Sequence, residues 1–353
     1  MTEKVPPALL AKGLKKHFGS IHAVDGIDLE ISQGAAFGLI GQNGAGKTTF
    51  IKLMLSIARP TEGELSIFGG KPSDPNLRRR IGYLPERLNL PPAFTPIAFL
   101  HSVARLKRIP RSEADGAIPK VLRWVGLEEE AWERKTARFS KGMKQRTGLA
   151  AALLGEPDML ILDEPTDGID PVGRAQIRKV IEEAHQRGAT LFLNSHLLAE
   201  TEKICTHVAI MNRGRVVLSG EMDSLRSTDS FNVVFDDEAG KSPDKSVVDK
   251  AAVHGFVPSE FVKPGGASFS YAGKNAADLS NSLKAALDDG LVLLEMSPAM
   301  RTLESVLEES VVRENANAKN NSGKNVGKNN AKAKSDGHDV KVDPSNGTDR
   351  SAA

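Results

Sequence analysis

The stretch "GQNGAGKTT", Gly41 to Thr49, constrains the fold of this 353-residue chain more than any other segment. It follows the apolar run "AAFGLI" and leads into "KTTFIKLMLSIA", whose apolar residues recur at helical spacing. A strand running into a glycine turn that opens a helix is the setting of G-x-x-x-x-G-K-[ST]: successive backbone N–H groups wrap phosphates there. Gly41, Gln42, Asn43, Gly44, Ala45, Gly46, Lys47, Thr48 and Thr49 are therefore candidate phosphate-binding residues. In such a loop the lysine, here Lys47, reaches the β and γ oxygens, and the hydroxyl of Thr48 can ligate Mg²⁺. The competing reading, a plain glycine-rich turn, leaves the strand-to-helix setting without a purpose.

The rest of the chain has the alternation that a nucleoside-triphosphate site of this kind needs. "AVDGIDLEI" and the residues before it read as strands, as do "GELSIFGG" and "RRRIGYLPE". From about 90 to 155 the pattern turns helical. "DMLILDE", "PVGRAQIRKVIEEAHQRG" and "ATLFLNS" then read as strand, helix and strand. Asp170 is the N-cap of that helix, Pro171 its first residue, and Gly188 its end. Such spacing implies crossovers within a parallel sheet. "HVAIMNRGRVVLSG" reads as a hairpin turning at Asn212, Arg213 and Gly214. The expected fold is α/β: a phosphate-loop core, mostly parallel with N-terminal antiparallel strands, over 8–228, carrying the helical insertion. Residues 229–312 are expected to form a small α+β appendage. Residues 313–353 are read as a disordered low-complexity tail, since its last 39 residues hold eight Asn, six Lys and no aromatic.

Asp163 ends the apolar strand "MLILD" beside the expected phosphate loop, where it can hold Mg²⁺; Glu164 follows and is the candidate to polarise an attacking water. Two acids in an ordinary strand-to-loop turn are the alternative. Ser140, in "RFSKGMKQR", has no residue close in sequence to activate it. It is either a plain helix N-cap or a hydroxyl presented to an anion at a helix tip.

Taken in order, "GQNGAGKTT", "IGYLPE", "FSKGMKQR", "MLILDEPTDGID" and "NSH" resemble the ATP-binding subunit of an ABC transporter, over roughly residues 8–225. The resemblance implies ATP and Mg²⁺ as ligands and ATP hydrolysis as the activity. It implies two subunits, homo- or heteromeric, paired head to tail, with Ser140 and Gly142 of one serving in trans the nucleotide held by the other. Glu164, His196 and Lys47 become the candidate catalytic residues, His196 as the switch histidine that senses the γ-phosphate. Asp170 matches the loop that crosses the dimer interface. Phe18 matches an aromatic that stacks on adenine, against a competing place in the core. Glu86 stands where a glutamine is common; a carboxylate can still ligate Mg²⁺, but it adds negative charge. Lys141 and Met143 depart from the commoner L-S-G-G-Q signature, and "SKGMKQR", "YLPE" and "RTLESVLEES" resemble the exporter branch.

Composition narrows the alternatives. The last 39 residues carry +3 and the remainder −1, so the body is not the basic surface of a dedicated nucleic-acid binder, and no nucleic-acid partner is expected. No apolar run nears the roughly 20 residues that span a bilayer. The resemblance implies a separate membrane-spanning permease as partner and a peripheral location on the cytoplasmic face of the membrane. The single Cys205 fits a reducing compartment, and the N-terminus has no apolar segment of the signal-peptide kind. A soluble relative acting on ribosomes or DNA, and a regulator that binds ATP without hydrolysing it, are the other readings. Such soluble relatives usually carry two cassettes or a zinc insertion, and the second reading conflicts with intact Lys47, Asp163 and Glu164.

Overall fold

The computed structural model describes residues 5–236, 245–259, 266–271, 276–314 and 316. The expected tail lies outside the described residues apart from 313, 314 and 316.

Two long strands, β1 (Leu9–Phe18) and β2 (Ile21–Ile31), open the fold. They are followed by β3 (Ala36–Ile40), α1 (Lys47–Met54), β4 (Glu62–Ile67), α2 (Pro75–Arg79) and β5 (Ile81–Leu84). The helical insertion supplies α3 (Pro96–Leu106), α4 (Arg111–Trp124) and α5 (Lys141–Leu153). Then come β6 (Met159–Asp163), α6 (Pro171–Gln186), β7 (Thr190–Asn194), α7 (Leu198–Ile204), β8 (His207–Asn212), β9 (Arg215–Glu221) and α8 (Met222–Arg226). The last elements are β10 (Ser227–Asp236), α9 (Lys245–Val253), β11 (Val257–Pro258), β12 (Gly266–Tyr271), α10 (Ala276–Asp288), β13 (Leu293–Met300) and a helix opening at 303.

The central sheet has the order β5-β6-β7-β3-β8-β9. Its first five strands run parallel, and β9 returns antiparallel to β8. Every residue of β3, β6 and β7 is buried, because both faces of the sheet are covered. The strand period divides these unbroken apolar runs between two cores. Phe37, Leu39, Ile161 and Phe192 pack with α1 and the β2-β1-β4 antiparallel sheet. Ile40, Leu160, Leu162, Leu191 and Leu193 pack with helices α3 to α6. The N-terminal antiparallel strands and the parallel core match the sequence expectation. So does the hairpin: Arg213 and Gly214 take φ of 45° and 83°, the left-handed pair of a tight two-residue turn.

Local signals also set α6. The Asp170 carboxylate accepts from the Gly173 N–H at 2.9 Å, Pro171 occupies the first turn, and Gly188 closes the end at φ 101°. Asp170 is thus an N-cap, and that backbone N–H holds its carboxyl below the ordinary carboxylate range.

The second, antiparallel sheet has the order β11-β12-β10-β13 and its own core of Phe235, Phe256, Phe269 and Tyr271 under α9 and α10. The chain then turns back. Leu303 is wholly buried and joins the larger apolar core, its N–H donates to Glu202 Oε1 of α7 at 2.7 Å, and Glu202 also faces Arg226 of α8.

Candidate functional site

The loop 41–46 leaves the C-terminal end of β3 and delivers the chain into α1. No side chain caps α1: its N-cap is Gly46, in the left-handed region at φ 108°. A Cβ there would meet the Ala23 carbonyl oxygen at 2.1 Å, so both conformation and space demand glycine. The uncapped first turn faces a cleft of about 570 Å³ lined by Asn43 through Thr49, Glu86, Glu164, Asn194 and His196. Ile21, His22, Ala23, Asp167 and Arg213 complete the wall. The helix dipole and open N–H groups make this an anion site.

Lys47 is the cation inside it. Its side chain is buried, and Nζ donates to the carbonyls of Gly41 at 2.6 Å and Gln42 at 3.1 Å. Burial pulls its pKa below the ordinary lysine value, opposed by the carboxylates of Glu164, Asp163 and Glu86. Thr48 is exposed beside it.

The acids come from strand ends. Asp163, the last residue of β6, is buried and accepts from the Asn194 amide at 2.5 Å. Burial raises its pKa; the Asn194 hydrogen bond and Lys47 oppose this, and Glu86 adds to it. Glu164 takes φ 52°, uncommon for a non-glycine residue, and its N–H bonds to the Asn194 carbonyl at 2.8 Å. That kink aims the carboxylate into the cleft. There Oε1 accepts from the His196 backbone N–H at 2.9 Å, and Oε2 lies 2.7 Å from His196 Nδ1. Burial raises the Glu164 pKa as well, with the His196 contacts pulling the other way. Carboxylates of Glu86, Asp163 and Glu164 thus surround one lysine, and Asn194 Oδ1 is buried with no hydrogen-bond partner. An uncompensated acidic cluster of this kind fits a hard cation such as Mg²⁺ held by oxygen ligands.

The structure therefore brings together Asn43 to Thr49, Glu86, Glu164 and His196, with Asp163 behind them. Gly41 and Gln42 contribute the carbonyls that hold Lys47. Phe18 does not line the cleft, though its cross-strand neighbour Ile21 does. Its ring is 51 % exposed with Lys16 Nζ 4.8 Å from the centroid, which removes the competing place in the core. Ser140 and Gly142 stand away from this cleft. Ser140 is exposed at the tip of α5, where its hydroxyl accepts from the Met143 N–H at 3.3 Å, and nothing lies within 4 Å of a Cβ built on Gly142. Lys141 links that tip to Asp167 at 2.7 Å.

Asn194, Asp167, Arg213 and His22 are cleft residues that the motifs did not single out. The sequence held a signal for Asn194: a polar residue closes an apolar strand, in the same "NSH" as His196.

The ABC transporter family profile matches residues 24–167. An uncharacterised ABC transporter ATP-binding protein of Nostoc sp. is 40 % identical over 232 residues, which are 64 % of this chain and 69 % of that one. The Nod factor export ATP-binding protein I of Cupriavidus metallidurans is 34 % identical over 62 % of this chain and 72 % of its own. Among solved structures, the ATP-binding subunit of an ABC transporter superposes with a TM-score of 0.58 at 32 % identity, covering 62 % of this chain and 91 % of that one. A phosphate loop, an acid pair on the neighbouring strand end and these likenesses converge: the chain belongs to the ATP-hydrolysing, ATP-binding proteins of ABC transporters.

Proposed function

We propose that two copies, or this chain and a related one, pair head to tail and drive a separate membrane-spanning permease from the cytoplasmic face, in the export direction. The observation that carries the reading is the convergence of Lys47, Asp163, Glu164 and His196 on the open first turn of α1. Export is supported by the printed name of the Cupriavidus relative and by the "SKGMKQR" signature. Among the described residues no helix is long and apolar enough to cross a membrane.

In this reading the backbone N–H groups from Gly44 to Thr49 hold the phosphates. Lys47 exchanges its loop carbonyls for β and γ oxygens. Glu164 takes the proton of the attacking water, aligned by His196. Thr48 and Asp163, with Glu86 as a third candidate, would hold Mg²⁺, which supplies charge neutralisation as the terminal phosphoryl group leaves. Phe18 would stack on adenine from the exposed end of β1. Ser140 and Gly142 of a second copy would close the cleft over the γ-phosphate.

Lys47→Ala tests the site itself. Removing the buried cation at the phosphate loop should weaken binding of a fluorescent ATP analogue by tenfold or more, about 1.4 kcal/mol. Wild-type affinity in that variant would contradict the assignment of the loop.

His196→Ala tests the acid–base pair through pH. Glu164 works as a base only when ionised, and burial already raises its pKa. Loss of the imidazole removes a contact that lowers it, so the pKa should rise further. Turnover should then fail at a higher pH on acidification than in the wild type. A steady-state pH profile with an unmoved acid limb would show that His196 does not act on Glu164.

A further inference from the structure

At the other end of the cleft wall, β1 and β2 carry a cluster that the nucleotide reading does not use. Lys15 pairs with Asp25 and Lys16 with Val24, but His17 pairs with His22 rather than Ala23. This one-residue bulge re-aims the strand and brings His22 onto the face that already holds His17 and Asp25. The two imidazoles stack with centroids 3.8 Å apart. Asp25 Oδ1 lies 3.6 Å from His17 Nε2 and 3.7 Å from His22 Nδ1, beyond hydrogen-bond reach of both. His17 Nε2 is buried and has no hydrogen-bond partner. A buried ring nitrogen left this way calls for a missing partner.

Asp25 is held in place from its far side. Its Oδ2 accepts from Arg215 Nη2 at 2.7 Å and Nε at 3.0 Å, which anchors that oxygen and leaves Oδ1 to the histidines. Lys15, which also feels the Asp25 charge, is engaged by Glu62 at 2.7 Å. Among the described residues, no other three side chains bring such ligand atoms within 4.8 Å of one another.

We propose that His17, His22 and Asp25 form a binding site for a divalent transition-metal ion of the Zn²⁺ class. Two borderline imidazole nitrogens with one carboxylate oxygen are a donor set that such an ion takes, with a fourth position left to water. With metal–ligand bonds of about 2.0–2.2 Å, the ligand atoms of a tetrahedral site stand about 3.4 Å apart. The observed 3.6 and 3.7 Å separations need little contraction. The rings must tilt out of their parallel stack to aim both nitrogens at one point. His22, whose side chain is 55 % exposed, has room to turn and leaves an entry path. The cluster borders the nucleotide cleft through His22, which lines it, whereas His17 and Asp25 do not.

The test uses the untagged full chain and Co²⁺ as a spectroscopic substitute for Zn²⁺. Wild-type protein should take up one Co²⁺ with the intense visible absorption of a four-coordinate site, and Zn²⁺ should displace it. His17→Gln and Asp25→Asn, checked by circular dichroism for an unchanged fold, should each weaken Co²⁺ binding at least tenfold and lose the band. His196→Ala should keep it, which separates this site from the His196–Glu164 pair. Equal Co²⁺ binding and spectrum in wild type, His17→Gln and Asp25→Asn would overturn the proposal. So would a signal abolished by His196→Ala alone, or only the weak absorption of an octahedral oxygen site.

Discussion

Glu164→Gln is expected to lower steady-state ATP turnover by about 10²–10⁴-fold while ATP binding stays close to wild type. The substitution keeps the shape of the side chain, and the amide oxygen can still accept from the His196 backbone N–H that now meets Oε1 at 2.9 Å. The strained φ of 52° is set by the backbone and its bond to Asn194, so the side chain remains aimed into the cleft. What disappears is the basic oxygen. The phosphate cradle, Lys47 and Asp163 are untouched, so nucleotide should accumulate unhydrolysed. Phosphate release and binding of a fluorescent ATP analogue, measured on the same preparation, separate the two effects. Unchanged turnover would remove Glu164 from the chemistry.

Ser140→Arg carries the second large effect. As a helix cap, Ser140 contributes about 1 kcal/mol through its bond to the Met143 N–H. Were capping its whole role, the variant would melt slightly lower and hydrolyse ATP at a normal rate. The residue is exposed on the tip of α5, away from the cleft of its own chain. If that tip closes the cleft of a second copy, a long cation there blocks closure and removes a hydroxyl donor aimed at the γ-phosphate. Loss of one such donor typically costs about 10²–10³-fold. Turnover should therefore fall at least that far while the melting temperature moves little. Thermal melting beside an ATPase assay decides between the two roles.

The parts of the fold legible in the sequence were those fixed by local chemistry. The phosphate loop, the capped α6 and the Arg213–Gly214 hairpin each specify backbone conformation within a few residues, and each stands where the pattern placed it. The buried strands were legible as apolar runs. Their order was not, because β3 sits between β7 and β8, and those pairings join residues more than 150 positions apart. Asp163 and Glu164 were legible as acids at a strand end, but the role of Asn194 was not: its amide meets Asp163 only through the β6–β7 register. The β1–β2 bulge left no mark either, since "HFGSIHAVD" reads as an ordinary hairpin and only the shifted register sets His22 beside His17. Leu303 reads as one apolar residue in a late amphipathic helix. Its burial beside Glu202 of α7 depends on the second sheet returning the chain to that place.

Mixing Ser140→Arg with Lys47→Ala tests most directly whether the ATP site is shared between two copies. Each variant alone carries a defect in both sites of a head-to-tail pair. In one mixed pair the mutant loop faces the mutant tip, and the other site is wild type. The expected result is that neither variant alone pairs with itself on addition of ATP or turns ATP over, while the mixture pairs in an ATP-dependent manner and regains partial hydrolysis. Wild-type hydrolysis by Ser140→Arg alone, or a mixture that neither associates nor hydrolyses, would contradict a site completed in trans.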